Sequence, residues 1–278
     1  MPWKLYLDSR KRVRGARGDT DSDFAIQLPY PITVSGKCYV DVCLIANSFW
    51  TIRPDNDRIY ITETPSFTAR VATIAHGQYN IYELRDQIVI ALNTNKIIAG
   101  QYACTYTPAT NRYSISIVNG VVGDIFSIWM EENLRQSGNQ WMGVVSMTAE
   151  DTGSANRACG FLDGTTMDGT HLVSTTAPNS PDVQPYKQLF LRSNLGGGSA
   201  ESLGVNGESD IVRRIIVGNT PLNSMIHDSF SNTLDCVTIN GKPEINQLWF
   251  QLIDVDGKTV DTHGLPVSCS IIFETLEE

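Results

Sequence analysis

No stretch of this sequence approaches the roughly 18 uninterrupted apolar residues of a membrane helix, so no membrane span is expected. No apolar run opens the chain either. MPWKLYLDSRKRV carries Lys4, Asp8, Arg10, Lys11 and Arg12 where a secretory leader would be apolar, so a leader is not expected. The six cysteines (Cys38, Cys43, Cys104, Cys159, Cys236 and Cys269) include no CxxC pair and no dense cluster. Their scatter argues against a disulfide framework or a zinc ribbon and predicts reduced, mostly buried thiols. Asn-x-Ser/Thr acceptors are absent as well. These absences together favour a protein made and folded inside a cell.

Patterns that carry chemistry are missing too. The four histidines (His76, His171, His227 and His263) lie far apart, with no HExxH or HxH spacing, so no metal site is expected. There is no GxSxG elbow, no GxxxxGK[ST] phosphate loop and no GxGxxG after a strand. DVDGKTVD (254–261) has the look of a calcium loop. It lacks the third carboxylate before the glycine and the closing glutamate, and a hairpin turn is the better reading. Trp50 and Trp249 sit in apolar runs and are expected in the core. Trp129 and Trp141 lie in less regular sequence and are the candidates for a sugar contact. The expectation is no enzyme and no cofactor.

What the chain has is strands. A hydrophobic fraction of 41% and a charged fraction of 18% fit a folded protein. Period-two alternation recurs in short runs bounded by turn residues. Phe24, Ile26 and Leu28 alternate with Ala25 and Gln27 until Pro29 and Pro31 close the run. CYVDVCLIA (38–46) is apolar on both faces apart from Asp41, which suits a central strand. RIYITE (58–63) follows a polar turn, and YACTYT (102–107) with NRYSISIV (111–118) reads as a hairpin. QLWFQLIDV (247–255) runs into the turn at Asp256-Gly257. VSCSIIFE (267–274) then ends the fold with Val267, Cys269, Ile271 and Phe273 on one face. One segment, NIYELRDQIVIALN (80–93), has helical spacing at Ile81, Leu84, Ile88, Ala91 and Leu92, and Asn80 with Glu83 forms a capping box. Its expected role is to cover a sheet face. Residues 147–185 and 195–209 read as loops. The fold class is all-β, a jelly-roll β-sandwich with one short helix and long loops.

The net charge of −9 is unevenly placed. Lys4, Arg10, Lys11, Arg12, Arg14 and Arg17 stand against Asp8 alone in the first seventeen residues. Residues 1–22 therefore read as a basic N-terminal arm. Arg10, Lys11, Arg12, Arg14 and Arg17 are its candidate contacts to nucleic acid or to an acidic neighbouring surface. The stretch RGARGDTDSDF also holds Arg17-Gly18-Asp19, the tripeptide that cell-adhesion receptors read, though chance supplies it readily in a chain of this composition. Asp19, Asp21 and Asp23 alternate after it, more in the manner of a polar lead-in to a strand than of a cation site.

LYLDSRKRV, SDFAIQLPYPITV, YVDVCLIANSFWTI and NDRIYITE follow one another in an order that resembles the start of penton-type minor capsid proteins. These belong to virophages and polinton-like viruses, small icosahedral double-stranded DNA viruses. YNIYELRDQIVIALN, RACGFLDG and LWFQLIDVDGKTVDTHGLPVSCSIIFE fall where that family's pattern would put them. The resemblance covers most of the chain and is loosest over 120–245. It implies a jelly-roll capsid domain over 23–278, with an inserted or loop-rich region around 120–185. It also implies a homopentamer at the fivefold vertices of the virion, made and assembled in the host cell, beside a double-jelly-roll major capsid protein. The arm would reach genome DNA or a neighbouring subunit. A ring of this kind closes through heterologous contacts. Two other classes stay open. An adhesion module would use Arg17, Gly18 and Asp19 or the 195–209 loop, and a sugar hydrolase would need carboxylates converging in a cleft.

Overall fold

Alternating apolar positions produce strands from the third residue onward. The computed structural model describes residues 3–34, 36–64, 68–135, 153–164, 166–196, 207, 210–218, 224–228, 236–239 and 244–275. In chain order these form β1 (Trp3–Asp8), a short 3-10 turn (Ser9–Lys11), β2 (Asp23–Thr33) and β3 (Gly36–Ala46). There follow β4 (Arg58–Glu63), β5 (Thr68–Thr73), α1 (Ile81–Asn93), β6 (Gln101–Thr107), β7 (Arg112–Val118) and β8 (Ile125–Trp129). Next come α2 (Glu131–Arg135), α3 (Asn156–Cys159), β9 (Thr166–Thr170), β10 (Thr175–Thr176) and β11 (Gln188–Ser193). The chain ends with β12 (Ile211–Ile216), β13 (Met225–Asp228), β14 (Val237–Ile239), β15 (Glu244–Ile253) and β16 (Val267–Thr275). Contacts divide it into two compact units, 1–49 with 186–278, and 50–185.

The first unit is a sandwich of two antiparallel sheets. One has the order β1-β16-β3-β13, with β14 also on β3, and the other the order β12-β11-β15-β2. Their inner faces share one apolar core, to which Phe24, Val40, Leu191, Phe250, Ile271 and Phe273 contribute. Apart from β11 and β12, paired neighbours in these sheets are distant in sequence, as in a jelly roll. The chain is all-β in class, and this unit is the jelly-roll sandwich.

Several strand expectations hold. Cys38, Val40, Cys43 and Ile45 of the central strand β3 are buried, while Val42 and Leu44 on its other face are only half-buried. Val267, Cys269, Ile271 and Phe273 share the inner face of β16. None of the six cysteines forms a disulfide, and all but Cys236 are buried.

Other expectations change. Pro29 and Pro31 do not end β2, which continues to Thr33. Its pairing with β15 is interrupted by a register shift between Ile245 and Gln247, opposite the prolines. An edge strand tolerates the lost N–H groups. Asp256-Gly257 does form a tight turn, with Asp254 N–H donating to the Lys258 carbonyl at 2.9 Å. The strands on either side are nonetheless not a hairpin, because β15 and β16 belong to opposite sheets. After the turn the chain crosses the sandwich. The expected arm also differs, since Trp3–Asp8 pairs antiparallel with Ser268–Phe273 and completes a sheet.

The second unit is inserted between β3 and β11, so the insertion starts at Trp50, well before the loop-rich region anticipated around 120–185. Its sheets run β5-β4-β8-β9 and β10-β7-β6. The β6–β7 hairpin forms as expected. In α1, Asn80 caps the amides of Tyr82 and Glu83 while the Glu83 carboxylate accepts from Asn80 N–H, the reciprocal box read from the sequence. Leu84, Ile88, Ala91 and Leu92 enter a core with Ile61, Tyr113, Ile115 and Phe126. Two one-turn helices, α2 and α3, add to the single helix expected.

Candidate interaction surface of the amino-terminal segment

The segment between β1 and β2 is a folded loop closed by its own charges. Asp8 caps the Ser9–Lys11 turn by accepting from Arg10 N–H at 2.9 Å, and it takes two further bonds from the Arg10 guanidinium at 2.9 and 2.7 Å. That guanidinium holds the Asp8 carboxyl well below the ordinary carboxylate value. Arg12 donates to Asp19 at 3.1 Å, to Asp21 at 2.9 Å and to the Ser9 carbonyl at 3.2 Å. Ser9 donates to Asp21 at 2.7 Å, and its hydroxyl accepts from Val267 N–H at 3.0 Å, which ties the loop to β16. The alternating aspartates are thus partners of the alternating arginines. Opposite charges repeating every second or third residue across Arg10–Asp23 were the signal for this clasp.

Arg17, Gly18 and Asp19 lie inside that clasp. The Arg17 guanidinium stacks on the Trp249 ring, 3.7 Å from its centroid, and its Nε donates to Asp23 at 3.0 Å. Asp19 accepts from Arg12 and from Gly15 N–H. A Cβ at Gly18 would stand 2.6 Å from the Asp23 side chain, so glycine is required where the loop folds onto Asp23. Both charged side chains of the tripeptide are committed within the chain. Trp249, expected in the core, is half-buried on the outer face beneath Arg17.

Of the five candidate basic residues, Arg10, Arg12 and Arg17 are therefore paired. Lys11 and Arg14 are exposed and make no ion pair among the described residues. Beside them, an open cavity of about 430 Å³ is lined by residues including Lys4, Tyr6, Asp8, Lys11, Val42 and Leu44. Lys4 pairs with Asp41 at its rim. The cavity has an apolar floor and a charged edge.

The remaining candidates are quickly placed. Asp254 accepts from Asp256 and Lys258 N–H, both at 2.9 Å, so the calcium-like stretch is a backbone turn closed by its own aspartate. Trp129 packs beside Tyr60 and Leu134. Trp141 and nearly all of the 195–209 loop lie outside the described residues. Among the described residues, no group of three His, Cys, Asp or Glu side chains is arranged to hold a metal ion.

No protein-family model matches the chain, and no curated protein matches it. Among solved structures, the crystal structure of the selenomethionine-labelled mavirus penton protein matches over 99% of this chain and 100% of its own, with a TM-score of 0.52 and 11% identity. At that identity the likeness is one of fold, and it runs the whole length of both chains.

Proposed function

We propose that the chain is a structural capsid protein that forms a homopentameric penton at the fivefold vertices of an icosahedral double-stranded DNA virus. The observation that carries this reading is the end-to-end fold match to the mavirus penton protein, inserted unit included. The sequence order noted above points to the same family. The apolar cavity at Tyr6, Val42 and Leu44 suits a neighbouring subunit, because exposed apolar surface ringed by charge marks protein contacts. The partners are further copies of the chain and a double-jelly-roll major capsid protein. Contact with genome DNA or an acidic neighbour passes through Lys11 and Arg14, the two cations the clasp leaves over.

Native mass of the purified protein tests the reading. The expected result is a particle of five 30.7 kDa chains. Imaging of virus particles places the chain directly, and density of another protein at the fivefold axes overturns the proposal. The adhesion reading of Arg17, Gly18 and Asp19 loses support from the clasp, because a receptor would have to break the Arg17–Asp23 and Arg12–Asp19 pairs first.

A further inference from the structure

Three loops meet at one end of the second unit. Gln101 pairs with Val118 and Ile125 with Thr170, so the loops 94–100, 118–124 and 171–174 emerge side by side. They converge on Asp124. Its carboxylate accepts from Ala99, Gly100 and Val121 N–H at 3.2, 2.9 and 3.0 Å, and its carbonyl accepts from His171 N–H at 3.1 Å. Gly100 and Gly120 let two of the loops touch, since a Cβ on Gly100 would lie 2.7 Å from Gly120 Cα.

This convergence presents Ile97, Val118, Val121, Val122, Leu172 and Val173, all exposed, at one tip. Apolar side chains gathered in water on one surface mark a contact site. The ionisable groups of the three loops are Lys96, Asp124 and His171, and the one carboxylate is buried and satisfied by backbone amides. No carboxylate in these loops is left to repel an anionic surface, and Lys96, half-buried behind the tip, donates to the carbonyls of Ile98 and Ala99 at 3.1 and 3.4 Å, which leaves one of its three N–H groups over. The loops contain no Trp, Tyr or Arg, so aliphatic side chains alone form the tip. Much of their backbone is satisfied internally: Thr170 and Val173 exchange bonds at 3.0 and 3.3 Å, and Leu172 N–H donates to the Thr170 hydroxyl at 3.3 Å. Such loops strand fewer backbone polar groups when they meet the interfacial zone of a bilayer.

From these observations we infer that the tip of the second unit inserts its aliphatic side chains into a lipid bilayer surface. The contact is shallow, made by side chains from loops, with the remaining N–H of Lys96 offered to anionic headgroups. It is independent of the penton reading.

Sedimentation of the purified full chain with phosphatidylcholine vesicles, with and without phosphatidylserine, tests it. The protein pellets with both and more strongly with phosphatidylserine. A Val122→Ser, Leu172→Ser double variant partitions about tenfold more weakly or less. Those side chains are 90% and 81% exposed, so its thermal transition matches the parent's. A parent chain that stays in the supernatant overturns the inference and leaves a concave protein site as the occupant of the tip. Equal pelleting of the double variant overturns it too. A vesicle-binding monomer supports the insertion while contradicting the pentamer, so the two proposals fail separately.

Discussion

Arg12 bonds Asp19, Asp21 and the Ser9 carbonyl, whereas Arg14, two residues on, holds no carboxylate among the described residues. Reversing the two charges therefore has different consequences. Arg12→Glu sets a carboxylate against two others and lowers stability by about 2 kcal/mol, read as a drop in thermal midpoint. Lys11→Glu with Arg14→Glu leaves the midpoint within about 0.5 kcal/mol of the parent but impairs particle assembly or genome content. Normal particles from that double variant sink the genome or neighbour contact. The same scale sets the acid response. The Arg10 guanidinium holds the Asp8 carboxyl below its ordinary 3.8. At Asp124, burial opposes ionisation, and the amides of Val121, Gly100 and Ala99 overcome it, so its carboxyl also lies below that value. For both, the unfolded chain binds more protons than the folded one on acidification. Their contribution is therefore complete above the ordinary value and is lost as pH falls below it. A midpoint titrated downward from neutrality declines below about pH 4, and Asp8→Asn makes that decline shallower.

Within the inserted unit, one buried network ties a helix end to two sheets. Glu63 of β4 is fully buried and accepts from Arg70 of β5 at 2.6 and 3.2 Å, from the Tyr102 hydroxyl of β6 at 2.7 Å and from Ile97 N–H at 2.8 Å. Arg70 also donates to the carbonyls of Leu92 and Thr94, at 2.8 and 3.0 Å, which terminates α1. Glu63→Gln strands the Arg70 charge and destabilises by about 3–5 kcal/mol, with early hydrogen exchange in the last turn of α1. Tyr102→Phe removes one bond and costs about 1–2 kcal/mol in the same denaturation assay. The strand and the helix around this network were legible in RIYITE and NIYELRDQIVIALN, because alternation and capping are local patterns. The ion pair itself was not, since it depends on which strands become neighbours. The same reason hid the crossover after Asp256-Gly257. Turn chemistry fixes the bend but not the sheet that the next strand joins. The clasp around Arg12 and the tip at Val122 escaped for a different cause. A basic run reads as an arm, and a loop-rich region reads as separate loops, until tertiary contacts show which charges and which loops meet.

Each unit draws its apolar core from its own residues. Among the described residues, the jelly-roll cluster takes nothing from 50–185, and the inserted cluster takes nothing from outside that range. The ends of the insertion also lie close together, for the Phe49 and Tyr186 rings meet edge to face at 5.0 Å between centroids. A chain in which a short Gly-Ser linker joins Phe49 to Tyr186 thus keeps its sandwich core intact, and a flexible linker readily spans that gap. The expected product unfolds in one cooperative transition and retains the proposed pentamer mass, because the cavity lined by Tyr6, Val42 and Leu44 belongs to the jelly-roll unit. It also loses vesicle binding, because the tip belongs to the inserted unit. A folded but monomeric product moves the assembly contacts into residues 50–185. A folded product that still pellets with vesicles removes the lipid contact from the tip.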